Sequence, residues 1–428
     1  MITVVGTGTG ASLPAEALAG AELVVGGRRH LDAVRLPEGA ERIVLGPLAP
    51  ALDTIAEYVG KDRPVTVLAS GDPGFFGIVR VLAERFGAQA LDVRPGVSSV
   101  AAAFARVGLP WDDAVVVSAH GRELRTAVNV CRAHPKVAVL TGPGAGPAEL
   151  GAALRHAFAG TPEAMSAPAA GARVLVVASA LGSARENVEW VTPAEAAARD
   201  WGADVSVVLC LDEARTLSAV RTVAGGRAEP AGWALGEDEF AHRDSMITKF
   251  EVRALALARL GPRPGDLVWD IGAGSGSVAV ECARLGAAAV AVEKAADGVE
   301  RIAANARAHG VYVDVVCDMA PDALPGLPDP DAVFIGGGGA ELPAIVTACA
   351  ARARRTVVVA MAALDRVPAA RAALTGAGFS CDGVLLQSSR LAPLPGEVTR
   401  LAATNPVFLL WGSRIPVPEE GSEEGVAQ

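Results

Sequence analysis

A two-domain α/β protein is predicted for this chain by three observations. Strands and helices alternate from end to end, the pattern of sheets with mostly parallel strands. The 428 residues exceed what a single core usually holds. Two separate glycine-rich loops each follow an apolar run, at Gly6-Thr7-Gly8-Thr9-Gly10 and at Gly272-Ala273-Gly274-Ser275-Gly276. With 51% apolar residues and only 4% aromatic ones, Ala, Val and Leu must fill both cores.

In the first half, apolar runs predict strands near 2–5, 22–25, 65–69, 115–118, 137–140, 174–178 and 205–211, with Ala-rich helical stretches between them. The polar, Pro-containing segment Leu109-Pro110-Trp111-Asp112-Asp113 interrupts the alternation and is expected to separate two α/β subdomains. Gly225, Gly226, Pro230 and Gly232 then break the pattern. They predict a linker over 213–235, between a domain at 1–212 and a second at 236–415. The second domain opens on a helix with Val252, Leu255, Ala256 and Leu260 along one face. Strands follow near 267–270, 289–292, 312–316, 331–335, 356–360, 383–387 and 406–411. The tail, 416–428, carries four glutamates and no large apolar residue beyond valine, and is expected to be disordered.

A net charge of −10 and a pI near 5.2 argue against a general nucleic-acid binder, which carries a basic field. The six cysteines are scattered, with no Cys-x-x-Cys pair and no histidine at ligand spacing. Neither a disulfide framework nor a metal site is expected. No apolar run reaches membrane-spanning length, and the N-terminus enters a strand at once. The expectation is a cytoplasmic protein without a membrane or nucleic-acid partner.

The segment Leu267 to Gly276 carries the most specific chemistry. A buried strand ends in an acid, Asp270, and runs into the alternating glycines Gly272, Gly274 and Gly276. Glycine there lets the backbone turn tightly and approach a ligand that a Cβ would repel. A dinucleotide loop has its third glycine or alanine three residues after the second and needs no acid at the strand end. The acid-led, alternating pattern suits the cationic, amino-acid-bearing end of S-adenosylmethionine. Glu293, after the second apolar run, stands where a carboxylate accepts both ribose hydroxyls.

The first loop, Gly6 to Ala11, formally fits Gly-x-Gly-x-x-Ala, but the second strand ends in Gly26-Gly27-Arg28-Arg29 with no acid for a ribose. Arg28 and Arg29 would suit a 2′-phosphate, which keeps an NADP-binding module open as the rival reading. In that case a single-site methyltransferase of another substrate, such as RNA, would follow an NADP-binding or scaffolding module. Two further loops tip the balance: Ser70-Gly71-Asp72-Pro73-Gly74-Phe75-Phe76-Gly77, and Pro95-Gly96-Val97-Ser98-Ser99 with a serine in the helix-capping position. Either alone is a turn and a cap. Together, in this order after the glycine-rich start, they resemble the tetrapyrrole methylase family.

The resemblance extends through Ala21 to Leu31 and Ser118-Ala119-His120-Gly121-Arg122, which are similar to the C5-methylating enzymes of the corrin pathway. Residues 239–411 resemble their decarboxylating C15-methylating partners. The motifs there are Ile247-Thr248-Lys249-Phe250-Glu251-Val252-Arg253, Asp270 to Gly276, Ala320 to Leu324, Phe334-Ile335-Gly336-Gly337 and Asn405-Pro406-Val407-Phe408. The implied fold is a tetrapyrrole methylase domain of two α/β subdomains, followed by a Rossmann-like class I S-adenosylmethionine-dependent methyltransferase. The implied activity is methylation of a corrin precursor at C5 and C15 with decarboxylation of its C12 acetate, using two S-adenosylmethionine sites per chain.

By resemblance, Thr248 contacts the methionine carboxylate of the cofactor, Gly272, Ala273, Gly274, Ser275 and Gly276 wrap the same end, Glu293 holds the ribose, and Ala320 lies near the adenine. Gly71, Asp72, Ser98 and Ser99 are the cofactor candidates of the first domain. The substrate is a small-molecule tetrapyrrole rich in carboxylates, so Arg28, Arg29, Arg122, Arg243 and Lys249 are candidates to meet it. Self-association through the C-terminal domain, as far as a tetramer, is also implied. Two departures stand out: Ala11 and Ser12 replace an aspartate common in the first loop, and Asp318-Met319 replaces Gly-Asp before Ala320.

Overall fold

The computed structural model describes residues 1–9, 15–155, 173–202, 206–217, 224–225, 232–243 and 247–415. The expectations on Ala11, Ser12 and the 416–428 tail lie outside the described residues. The chain divides into two compact units. The first gathers Met1–Ala127, Pro135–Arg155 and Arg173–Gly226, and the second the remainder.

The first unit holds two five-stranded sheets. In one, β1 (Ile2–Thr7), β2 (Leu23–Gly26), β3 (Glu41–Val44), β4 (Val65–Ser70) and β5 (Leu91–Arg94) lie parallel in the order β3-β2-β4-β1-β5. Ile2, Val4, Leu23, Val25, Val65 and Val67 from one face pack with Ile55 and Tyr58 of the helix Leu48–Gly60. Each such aliphatic side chain removed from water contributes about 1.5–3 kcal/mol. The second sheet contains β6 (Val115–Ser118), β7 (Lys136–Leu140), β8 (Arg173–Ser179), β9 (Asn187–Val191) and β10 (Ser206–Asp212), in the order β6-β7-β10-β8-β9. Here the expectation of parallel strands needs correcting. Only β6 and β7 run parallel, because β9 returns directly beside β8 and β10 inserts antiparallel between β7 and β8.

The 109–113 segment does fall between the two sheets. The Trp111 ring stacks on Phe104, and buried Asp113 accepts from the Lys136 ammonium at 2.5 Å. Removing either partner would strand the other charge in a dry site, at a cost of about 3–5 kcal/mol.

The second unit is one seven-stranded sheet in the order β13-β12-β11-β14-β15-β19-β16. Its strands are β11 (Leu267–Ile271), β12 (Ala288–Val292), β13 (Asp314–Val316), β14 (Ala332–Ile335), β15 (Thr356–Met361), β16 (Phe379–Leu386) and β19 (Val407–Arg414). β19 runs antiparallel to both neighbours. A separate hairpin of β17 (Ser389–Leu394) and β18 (Val398–Ala403) is inserted before β19. β11 and β12 are buried at every residue, as strands covered on both faces should be. Ala234 and Leu235, which the sequence leaves at the end of the linker, pack into the core of this unit.

Five strands fall outside the sequence expectation: β3, β5, β9, β17 and β18. β3 and β5 edge the first sheet and carry Glu41 and Arg42, and Asp92 and Arg94, so they lack a buried apolar run. β9 likewise edges its sheet, and the hairpin is largely exposed.

Candidate functional site

In the second unit the strand order reverses between β11 and β14, and ligands of open α/β folds bind at the carboxyl edge of such a switch point. Asp270 is 2% exposed at the end of β11. Its Oδ2 accepts from the Ala279 amide at 3.0 Å, fastening the strand to the helix Ser277–Arg284. Burial, with the Glu293 charge adding to it, lifts the Asp270 carboxyl to about 7 against the pull of that amide.

Gly272, Gly274 and Gly276 all have positive φ, near 58–70°. A Cβ on Gly276 would meet Ile302 at 2.8 Å, and one on Gly272 would meet the Gly337 backbone at 3.2 Å. A Cβ on Gly274 would project into open space, so that edge of the loop is accessible to a ligand. The Gly274 amide donates to Glu293 Oε2 and the Ala295 amide to Oε1, both at 2.9 Å. These bonds fix the carboxylate at the tip of β12 while leaving each oxygen a further lone pair.

The structure brings Asp270, the 272–276 loop and Glu293 together. Ala320 is buried just past the end of β13, and Asp318 stands exposed beside it. Thr248 is half-buried, its carbonyl accepting from Arg253 Nη1 at 2.6 Å. Sequence reasoning missed Gly298, in the first turn of the helix Ala296–Ala308. A Cβ there would fall 2.6 Å from Glu293 Cγ, so this glycine lets the carboxylate lie against the loop. A glycine this early in a strongly periodic helix was the available signal.

In the first unit, three loops separated by up to 90 residues meet above β1, β4 and β5. The Gly71 amide donates to the Thr7 carbonyl at 2.8 Å, and the Gly96 amide to the Gly71 carbonyl at 3.1 Å. A Cβ on Gly6 would lie 1.9 Å from the Gly71 oxygen and 2.4 Å from the Gly96 nitrogen, so no other residue fits. A Cβ on Gly71 would press on Val97, Ser98 and Ser99 at 3.0–3.3 Å. Thr9 Oγ1 donates to the Val97 carbonyl at 2.5 Å.

Ser98 caps the helix Ser99–Val107 through the Ala101 amide at 3.1 Å, and Asp72 Oδ1 accepts from the Gly74 amide at 2.8 Å. Both side chains thus hold loop geometry. His30, which is not among the candidates read from the sequence, lies at this edge with Ser70 and Arg29.

The basic candidates divide between the two units. Arg28, Arg29 and Arg122 belong to the first unit, with Arg122 near the face of the Phe76 ring at 5.9 Å. Arg243 and Lys249 belong to the second, where Arg243 faces Asp297 at 3.6 Å. Among the described residues, no helix is long and apolar enough to cross a membrane.

Residues 1–198 match the family model of the tetrapyrrole (corrin/porphyrin) methylases, and residues 238–410 match that of the precorrin methyltransferase domain. With the acid-led glycine loop and the Glu293 carboxylate clamped to it, these define a methyltransferase that uses S-adenosylmethionine. A precorrin-6Y C(5,15)-methyltransferase (decarboxylating) of Sinorhizobium sp is 39% identical over 351 residues, 79% of this chain and 79% of the relative. The cobalt-precorrin-7 C(5)-methyltransferase of Salmonella typhimurium is 33% identical over 222 residues, half of this chain and all of that one. A probable cobalt-precorrin-6B C(15)-methyltransferase (decarboxylating) of Pyrobaculum calidifontis is 36% identical over 170 residues, 38% of this chain and 87% of that one. The chain belongs to the precorrin-6Y C5,15-methyltransferase (decarboxylating) family. A match to tetrapyrrole methylases over residues 1–198 leaves the rival NADP-binding reading of the first loop without support.

Proposed function

We propose that the chain converts precorrin-6B and two molecules of S-adenosylmethionine into precorrin-8X, two of S-adenosylhomocysteine and CO2. It does so by methylation at C5 and C15 and loss of the C12 acetate carboxyl. The observation that carries this reading is the pair of family matches on one chain, 1–198 and 238–410, each over a unit with its own glycine-rich edge. The second unit is assigned C15 methylation and decarboxylation, and the first C5 methylation.

Bound S-adenosylmethionine supplies an electrophilic methyl group. The residues of the chain orient and exclude water. Well-oriented reactants gain on the order of 7–11 kcal/mol, which lowers the barrier to transfer to an enamine-like meso carbon. In the second unit, Gly272 to Gly276 and Thr248 hold the methionine end, Glu293 the ribose, and Ala320 borders the adenine. Burial lifts the Asp270 carboxyl to about 7, so a cationic ligand beside it would favour the ionised form. In the first unit, Gly71 and the backbone of Asp72, Ser98 and Ser99 line the second cofactor site. Arg28, Arg29 and Arg122 meet substrate carboxylates there, and Arg243 and Lys249 do so in the second unit. Loss of CO2 requires the acetate carboxylate to shed water while its electrons delocalise into the macrocycle.

The protein works in the cytoplasm and self-associates through the second unit, where Leu391, Val398 and Leu401 of the hairpin are 54–79% exposed. Sedimentation of the full chain tests the assembly. Counting S-adenosylmethionine bound per full-length chain by calorimetry tests the two sites: two are expected, and saturation at one, even with tetrapyrrole present, overturns them.

A further inference from the structure

Thr248 lies outside regular structure, two residues ahead of the helix Phe250–Leu260. Side chains hold the backbone at it and just after it. From the core, buried Arg253 donates through Nη1 to the Thr248 carbonyl at 2.6 Å. From the surface, Glu237 Oε1 accepts from the Phe250 amide at 2.7 Å. A helix start leaves that amide without an internal partner, and Lys249 in the N-cap position carries no side-chain acceptor for it. One hydrogen bond lets a peptide pivot about the contact, whereas two at neighbouring peptides fix its direction.

Glu237 is in turn held by Arg390 of β17, 153 positions further along the chain. Arg390 Nη1 donates to Glu237 Oε2 at 2.5 Å and Nη2 to Oε1 at 2.8 Å. The adjacent edge of the same guanidinium meets Glu251, in the first turn of the helix. Nη2 donates to Glu251 Oε2 at 2.7 Å and Nε to Oε1 at 3.1 Å. Two bidentate pairs thus join a residue ahead of Thr248 to one behind it, a geometry that a planar guanidinium matches and an ammonium does not. The Arg390 hydrogen bonds, against the effect of burial, pull the Glu237 carboxyl down to about 2, so the bridge stays charged at neutral pH. Along β17, half-buried Arg390 and Ala392 alternate with exposed Ser389, Leu391 and Pro393, which puts Arg390 on the covered face of the hairpin.

We propose that Arg390 is a positioning residue for the second unit's cofactor site. By bridging Glu237 to Glu251 it holds the start of the helix, and so aims Thr248 at the carboxylate end of S-adenosylmethionine. The inference rests on the reading of Thr248 as a cofactor contact of that unit. Setting Thr248 in advance spares the cost of ordering it when the cofactor arrives. The contact is made to a part of the cofactor that does not react, so its loss weakens binding without slowing the chemical step.

The test uses the full-length enzyme and follows C15 methylation, with kcat and the KM for S-adenosylmethionine measured separately. Arg390→Ala should raise that KM about tenfold, the scale of one charge-assisted hydrogen bond, with kcat within about twofold of wild type. Arg390→Lys, the milder change, keeps the charge but cannot make both bidentate pairs, and should still raise the KM several-fold. Thr248→Ala should raise it about as much as Arg390→Ala, and the double variant little further, because the two act through one contact. Full recovery with lysine would make charge alone the cause and overturn the bridge as a positioning device. So would additive effects in the double variant, or an unchanged KM in Arg390→Ala beside an impaired Thr248→Ala. A fall in kcat at unchanged KM in Arg390→Ala would place Arg390 in the chemical step and overturn positioning. An unimpaired Thr248→Ala removes the assignment of Thr248, and a wild-type chain without C15 methylation removes the functional reading; the inference falls with either.

Discussion

The carboxyl edges of the two units solve one problem with opposite electrostatics. In the second unit a single loop, 272–276, is framed by two carboxylates, Asp270 buried beneath it and Glu293 clamped to its Gly274 amide. In the first unit three loops lock together backbone to backbone around Gly6, Gly71 and Gly96, and the side chains beside them are Arg29, His30 and Ser70. One edge is built on charge and the other on close packing. The contrast teaches that a glycine-rich loop alone does not fix its chemistry. What differs is whether a glycine faces open space, as Gly274 does, or neighbouring backbone, as Gly6 does.

Substituting those two glycines is the sharpest way to break the comparison. Gly6→Ala drives a methyl group into two backbone atoms that cannot move independently. It should cost more than about 4 kcal/mol, abolishing C5 methylation and unfolding the first unit while C15 methylation persists. Intact C5 methylation with an unchanged melting profile would mean that the loops are not locked as described.

Next in size is the pH response of the buried acid. Asp270 has its carboxyl raised from 3.8 to about 7, so the unfolded chain releases this proton more readily than the folded one. Its contribution to stability is fully present below about 4 and is lost as the pH rises to about 7, a fall on the order of 4 kcal/mol. Denaturant titrations of the second unit's transition should show this in wild type, and Asp270→Asn should flatten it. A slope unaffected by the substitution would assign the response to other groups. Because a cation favours the ionised form, S-adenosylmethionine should also bind this unit more tightly at pH 8 than at pH 6.

Glu293→Ala should weaken cofactor binding in the second unit by about 1.5–3 kcal/mol, the scale of a charged hydrogen-bonding group. Calorimetry should show one weakened class of site and one unchanged; two unchanged classes would remove the ribose assignment. The smallest effect is expected from Gly274→Ala. The added methyl has open space, and the cost is mainly that of a side chain at φ 58°, about 1–2 kcal/mol. If it matched Gly6→Ala in severity, the two loops would not differ in kind.

What the sequence by itself determined is local. A strand ending in Asp270, three alternating glycines, an acid after the next strand and a serine in a capping position are each written within a few residues, and the structure places them as expected. The strands that run through the core were legible for the same reason, since an uninterrupted apolar run marks burial on both faces. Tertiary structure alone decided the rest. Edge strands such as β3 and β5 owe their form to the neighbour they pair with, so their charged sequences carry little signal. Gly6, Gly71 and Gly96 meet only because β4 and β5 flank β1, and the use of Ser98 and Asp72 to hold loop shape follows from that meeting. His30 reads as one more residue of a short polar helix until β4 carries Ser70 to it across 40 positions of chain. Periodicity reports which face is buried, but the partner of a buried polar group is set by long-range packing, and no local pattern encodes it.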